Sequence, residues 1–415
     1  MAAAPELTVS LLGRQPQPED GTASNGCYSW RAFRTMTDGE NLTTALWLAE
    51  AALNHACCDS LHCTWRALVT LLSSGDVLAA DHYAELLAPR PGLPAGEQAV
   101  RQILHTRVRA RIAQHCGDLG GARELLSRLI ASGADPGDLA LPVAGLAEVL
   151  VSLGDAQAAE ALLSEQHADD TIAGSAPGTA ALLSARAAVH VARGRPRAGL
   201  ADYLACGCLL ITKGVFNPAT IPWRSRAALA AAAAGQTHLG RPLAENEWKA
   251  ARCWGEPRSL GIALAAVASF EQDEPAVELL REAAELLTVA RARAELSEVN
   301  CDLGRRLVRL SRPTTARIYL DQARLLAEAT GRAAVGRAAT RASADNGAAG
   351  RPAPAELSAH ERRVVELARM GLDNNQIAGK LSLTRRTVEF HLTNAYRKLG
   401  INSRTELWSA PIDVR

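Results

Sequence analysis

The segment Gly117–Leu126, "GDLGGARELL", fixes the reading of most of this chain, because it recurs. A glycine ends one apolar helical run, an aspartate or other small polar residue follows, and a second run opens with an alanine ahead of paired leucines. The same pattern stands in "GDVLAADHYAELL" from Gly75, "GDAQAAEALL" from Gly154 and "GRPRAGLADYL" from Gly194. Fainter versions begin at Gly235 ("GQTHLGRPLAE"), Gln272 ("QDEPAVELL") and Arg312 ("RPTTARIYL"). Successive anchors lie 42, 37, 40, 41, 37 and 40 residues apart, the length of a helix pair with its turns. That is longer than the tetratricopeptide unit of about 34 residues. Glycine admits a positive φ after the first helix and alanine lets the second approach closely. The expected architecture is all-α: about seven hairpins stacked as an irregular, tetratricopeptide-like solenoid. A non-repetitive helical domain whose glycine turns coincide is the plainer alternative.

Composition agrees with helix. Of 415 residues 48% are hydrophobic and only 4% aromatic, a balance that suits helix over sheet. Such a length calls for more than one core. Residues 1–35, with "GRQPQPEDGTASNGCYSW", read as a poorly ordered lead-in, 36–342 as the helical-repeat region, and 343–354, containing "SADNGAAGRPAP", as a linker. A small unit fills 355–415. The opening "MAAAPELTVSLLGRQ" has neither a basic start nor an apolar run fit for a signal peptide, and no run of about 20 apolar residues occurs. Nine scattered cysteines suit a reducing cytosol, so a soluble cytoplasmic protein without membrane contact is expected.

Net charge is +1, so any affinity for nucleic acid has to come from a local patch. Four lysines stand beside 41 arginines, a bias that reflects base composition of the gene more than chemistry. The patch lies near the end, in "LTRRTVEFHLTNAYRKLG", Leu383–Gly400. Val388, Leu392, Ala395 and Leu399 step by 4, 3 and 4 and form a buried stripe. Arg386, Glu389, Phe390, Thr393 and Arg397 form the opposite one. Between Thr384 and Arg404 five bases face one acid. Upstream, "SAHERRVVELARMG" carries a Ser358–Glu361 capping box and a Gly371 stop, and "NNQIAGKLS" is a short helix; "SRTELWSA" makes a fourth. Short helix, tight turn and longer helix make a helix-turn-helix, and a helix about 10–12 Å across fits the major groove of DNA. Arg385, Arg386, Arg397 and Lys398 are placed to neutralise phosphates, and Thr384 and Thr387, at the helix start, to bond phosphate oxygens.

Those residues resemble the DNA-binding domain of the LuxR family of transcription regulators, with "NNQIA", "RTVEFHLTNAYRKLG" and "INSR" at the family's spacing over about 55 residues. Residues 185–335, with "NPATIPWRSRAALA" and "ARCWGEPRSLG", more loosely resemble the helical segment of the large ATP-binding LuxR regulators of actinobacteria. The resemblance implies that Arg386, Glu389, Phe390 and Thr393 read bases, while Thr387, Arg397 and Lys398 meet the DNA backbone. Lys380, Asn394 and Arg404 complete the candidate set. It also implies that the helix at Ser403–Ala410 pairs two copies on DNA, and that the protein recruits RNA polymerase as an activator. Glu389 departs from the family, where lysine is common. A carboxylate there accepts from the cytosine amino group, or else pairs with Arg385 or Arg386.

These 415 residues lack the nucleotide-binding domain of those large regulators: the single "GK", Gly379–Lys380, has no phosphate-cradling glycine before it. No catalytic constellation or cofactor motif is evident, so an enzyme is not expected, and the effector of the helical region is an unidentified protein or small molecule. A helical interaction module with a vestigial DNA-binding domain is the alternative. His55, Cys57, Cys58, His62 and Cys63 could make a zinc or thiol site, but buried core cysteines are the simpler reading. Trp47, Trp65, Trp223, Trp248 and Trp254 are expected as packing anchors between hairpins.

Overall fold

The computed structural model describes residues 27–54, 60–132, 136–174, 178–346, 357–399, 401 and 407. Among them are 21 α-helices, one short 3-10 turn and no strand, so the chain is all-α. It divides into two compact units, one running to Glu256 together with Ala329–Ala333, the other comprising Pro257–Glu328 and Ala334 onward. The division falls at Pro257, upstream of the expected linker.

The recurring glycine turn works as its chemistry requires. At Gly117 φ is +76°, the Gly117 N–H donates to the Gln114 carbonyl at 3.1 Å, and the Asp118 N–H donates to the Ala113 carbonyl at 2.8 Å. These two bonds close the end of the Ala95–Cys116 helix as a Schellman motif. Asp118 then starts the next helix, Leu119–Ala131, by accepting from the Gly121 N–H at 2.9 Å. One dipeptide therefore satisfies a helix end and a helix start. The turns at Gly75 and Gly154 repeat it, with Asp76 and Asp155 as caps. Two later turns make it without glycine: Arg291 and Ser311 adopt φ of +55° and +56°, and the following amides of Ala292 and Arg312 make the same bond.

Two expected boundaries shift. Tyr28–Asp38 is a helix, so the lead-in reading does not hold from Tyr28 to 35: Ala32 and Met36 are fully buried, with Tyr28 and Phe33 packed beside them. Residues 1–26 lie outside the described set. The helix Ala333–Asp345 likewise runs past the expected linker start at 343, and 347–354 are not described. Of the tryptophans, Trp65, Trp223 and Trp254 are buried anchors, whereas Trp47 is 59% exposed and only meets Tyr28 edge-on. Trp248 is partly covered, with the Arg252 guanidinium over its ring.

Candidate nucleic-acid interface

Three short helices, Ala359–Arg369, Asn374–Leu381 and Arg385–Leu399, build the C-terminal unit. The first opens with the expected capping box: Ser358 Oγ accepts from the Glu361 N–H at 3.1 Å, and the Ser358 N–H donates to Glu361 Oε2 at 2.8 Å. A second box, Asp373 with Gln376, starts the second helix and was legible in the spacing but not read there. Ser382 then turns the chain with φ +55°, its neighbour Leu383 donating to the Ala378 carbonyl. Thr384 caps the third helix by accepting from the Thr387 N–H at 3.1 Å.

The apolar stripe is where periodicity puts it. Val388 and Ala395 are fully buried and Leu392 nearly so, with Leu399 beside them, against Val364, Val365, Ala368 and Ile377. Leu407 joins this core; the rest of the expected Ser403–Ala410 helix, and Arg404 with it, lies outside the described residues.

The opposite face is open to solvent. Arg385, Arg386, Glu389 and Thr393 are exposed, Phe390 and Asn394 half-buried, and Lys380 projects from the preceding helix. Arg397 lies on the helix, with its side chain outside the described set. Glu389 takes a hydrogen bond from Arg385 Nε at 2.7 Å. That bond, with further help from Asn374 and Arg386, holds its carboxyl below the usual range. So Glu389 is ionised and already partnered. Thr393 returns its hydroxyl to the Glu389 carbonyl at 2.8 Å.

Two candidate residues are not on that face. Thr387 is 2% exposed, and its hydroxyl lies 2.7 Å from Thr384 Oγ1, where it supports the cap and does not face solvent. Lys398 is withdrawn as well. Its Nζ donates to Glu361 Oε2 at 2.6 Å and to Glu285 Oε1 at 3.2 Å, with its side chain 9% exposed. Burial opposes its charge, but the two carboxylates outweigh burial and raise its pKa. His391, unmentioned by the sequence reading, is fully buried on the same side, Nδ1 being 3.2 Å from Glu285 Oε2. Thr387, His391 and Lys398 stand at i, i+4 and i+11, a third stripe that helical spacing alone would have found.

Residues 355–410 match the bacterial regulatory proteins of the luxR family. The C-terminal segment is a LuxR-family helix-turn-helix domain. HTH-type transcriptional regulators of Mycobacterium tuberculosis and Mycobacterium bovis are 49% identical to this chain over 51 residues, 12% of its length. The monoamine regulon transcriptional regulator of Klebsiella aerogenes is 43% identical over 56 residues, 14% of this chain. The chain spans 6% of the length of the mycobacterial relatives and 25% of the Klebsiella one.

Elsewhere, no group of three or more His, Cys, Asp or Glu among the described residues is arranged to hold a metal ion. His55, Cys57 and Cys58 lie outside them; Cys63 is buried, its Sγ 3.7 Å from that of Cys27. No described helix is long and apolar enough to cross a membrane.

Proposed function

We propose that this chain is a DNA-binding transcription regulator, and not an enzyme, that lays the exposed face of the Arg385–Leu399 helix in a major groove. The observation that carries the reading is the clean division of that helix: Val388, Leu392 and Ala395 buried, Arg385, Arg386 and Thr393 open to solvent on the opposite side. A helix whose only task was packing would need no exposed cationic face of this kind. Arg385, Arg386 and Lys380 supply phosphate charge; Arg386, Glu389, Phe390 and Thr393 are placed to meet base edges. Asn394 lies on the same helix, and Arg397 and Arg404 join the candidate set by sequence position alone.

On this reading the protein acts in the cytoplasm on promoter DNA, as a homodimer reading two half-sites, and recruits RNA polymerase as an activator. The helical hairpins ahead of the LuxR-type domain receive the signal, as a protein or small-molecule effector. Tetratricopeptide-like stacking of those hairpins would give such an effector a continuous surface.

The test is binding of the full chain, and of an Arg385→Ala, Arg386→Ala variant, to DNA fragments from its own gene neighbourhood and to scrambled DNA across a salt series. Fragment-selective binding by the wild type, falling linearly in log salt and weakened in the variant with a shallower slope, supports the reading. Equal, weak binding of every fragment by both proteins would overturn it.

A further inference from the structure

Cys27 and Cys63 are 36 residues apart in the chain and meet at the start of the helical region, their Sγ atoms 3.7 Å apart. Both are thiols and both are buried, at 6% and 8% exposure. Each stands at a helix start, Cys27 at the N-cap of Tyr28–Asp38 and Cys63 in the first turn of Leu61–Ser73. Backbone amides at a helix start favour negative charge, and Ser29 Oγ, 3.2 Å from the Cys27 sulfur, can donate to a thiolate there. A disulfide bond is about 2 Å long, so each sulfur has to move by less than about 1 Å to form one, a distance that side-chain rotation covers. Other cysteines lack this setting. Burial pushes the mid-helix thiol of Cys206 up to about 12, and it raises Cys301 as well.

We infer that Cys27 and Cys63 are a redox-active pair, which hydrogen peroxide converts to a reversible disulfide that pins the Tyr28–Asp38 helix to the Leu61–Ser73 helix. The Cys27 thiolate attacks one peroxide oxygen, the O–O bond breaks and the other oxygen leaves as water, so Cys27 becomes a sulfenic acid. Cys63 attacks that sulfur, the S–O bond breaks, and a second water leaves with the Cys63 proton. The two sulfurs together lose two electrons, and the peroxide gains them. The low exposure of both sulfurs selects a small oxidant of this kind. A dithiol reverses the bond by exchange, and in a reducing compartment such a bond is transient, which suits a sensor better than a permanent brace.

The consequence depends on how the first helix is held. Its end is fastened: the Asn217 side-chain amide donates to the Met36 carbonyl and the Phe216 N–H to the Thr37 carbonyl, each at 2.8 Å. Its start has no side-chain cap. Oxidation fixes that uncapped start and leaves the element tied at both ends, which slows its opening.

The experiment treats the full chain with a small excess of hydrogen peroxide, blocks the remaining thiols and digests on the N-terminal side of aspartate. Cleavage before Asp20, Asp38, Asp59 and Asp76 puts Cys27, the pair Cys57 and Cys58, and Cys63 on three separate peptides. The expected main cross-link joins peptides 20–37 and 59–75 with loss of two hydrogens, and dithiothreitol removes it. Amides of Tyr28–Asp38 should exchange about tenfold or more slowly in the oxidised chain and recover on reduction. Cys208→Ser, at an exposed position, should keep both effects. Cys63→Ser and Cys63→Ala should lose both and leave Cys27 as a sulfenic acid that dimedone captures. No cross-link, or a main cross-link to Cys57 or Cys58, overturns the pair; the expected cross-link with unchanged exchange overturns the pinning. Both decisions are read on the wild type, so a variant that fails to fold alters neither.

Discussion

Trp254 donates its indole N–H to the backbone carbonyl of Ser73, 181 residues earlier, at 2.8 Å. Its ring is 1% exposed and sits in the same core as Leu68, Leu71 and Leu87, so a single side chain fastens the end of the Thr237–Trp254 helix to the end of the Leu61–Ser73 helix. Trp254→Phe keeps much of the apolar volume and strands the Ser73 carbonyl, and should cost about 1–3 kcal/mol. Trp254→Ala also opens a cavity and should cost about 3–5 kcal/mol. Urea unfolding followed at the remaining tryptophans distinguishes the two; a Trp254→Phe variant as stable as the wild type would show that the hydrogen bond contributes nothing.

Gly207 and Gly379 are both mid-helix, and the structure assigns them opposite sensitivities. A Cβ on Gly207 would lie 2.5 Å from three ring atoms of Trp223, whereas one on Gly379 meets nothing within 4 Å. Gly207→Ala should therefore destabilise by about 1–3 kcal/mol through overpacking. Gly379→Ala should stabilise its helix by up to about 1 kcal/mol through lost chain entropy. A melting temperature raised in both variants would refute the packing seen at Trp223.

Glu247 is fully buried and accepts from Arg224 at 3.3 Å and from the Ser225 N–H at 3.4 Å. Burial outweighs those partners and pushes its carboxyl up to about 7. A raised value means the folded state favours the protonated form. Its contribution is complete below the ordinary value of 4.5 and is lost as pH rises through about 7. Between pH 5 and 8 the opening free energy of the Trp223–Ala233 helix should fall by roughly 3 kcal/mol. Glu247→Gln should flatten that slope, as read by hydrogen exchange of those amides; a slope that persists in the variant would assign the pH dependence elsewhere.

On the proposed reading, Glu389 sets base preference while Arg385 competes for it. Glu389→Gln frees Arg385 and adds one positive charge to the face, so affinity should rise for DNA of any sequence and the salt slope should steepen by about 1. Preference between sites should narrow at the same time. Titrations on matched and scrambled fragments measure both, and a loss of affinity on every fragment would contradict the assignment.

What local pattern could show, it showed well. The Ser358–Glu361 box and the Val388, Leu392, Ala395 stripe need only residues within one or two turns, so spacing suffices. Lys398 could not be read that way, because its partner Glu285 lies 113 residues earlier and a lysine on a mixed helix is ordinarily solvated. Thr387 misled for a related reason: a hydroxyl at a helix start serves phosphate and cap equally well until its neighbour Thr384 is seen to take it. The fading of the repeat beyond Gly235 has a third cause. Ser311 holds, just before the Arg312 anchor, the turn conformation that glycine holds earlier, accepting a strain of about 1–2 kcal/mol, whereas the chain enters the helix at Gln272 from an extended conformation, so the signature is lost in two different ways. The helix Tyr28–Asp38 was hidden by the turn-forming residues just before it.

The Gly–Asp turns carry one more implication. Each closes its hydrogen bonds within about nine consecutive residues, from Ala113 to Gly121 in the clearest case, and asks nothing of the helices beyond. A recombination event with its breakpoint in such a turn can therefore add, trim or lose a helix pair without orphaning a backbone amide. Unequal spacings of 37 to 42 residues are what a chain assembled with such tolerant joints would accumulate.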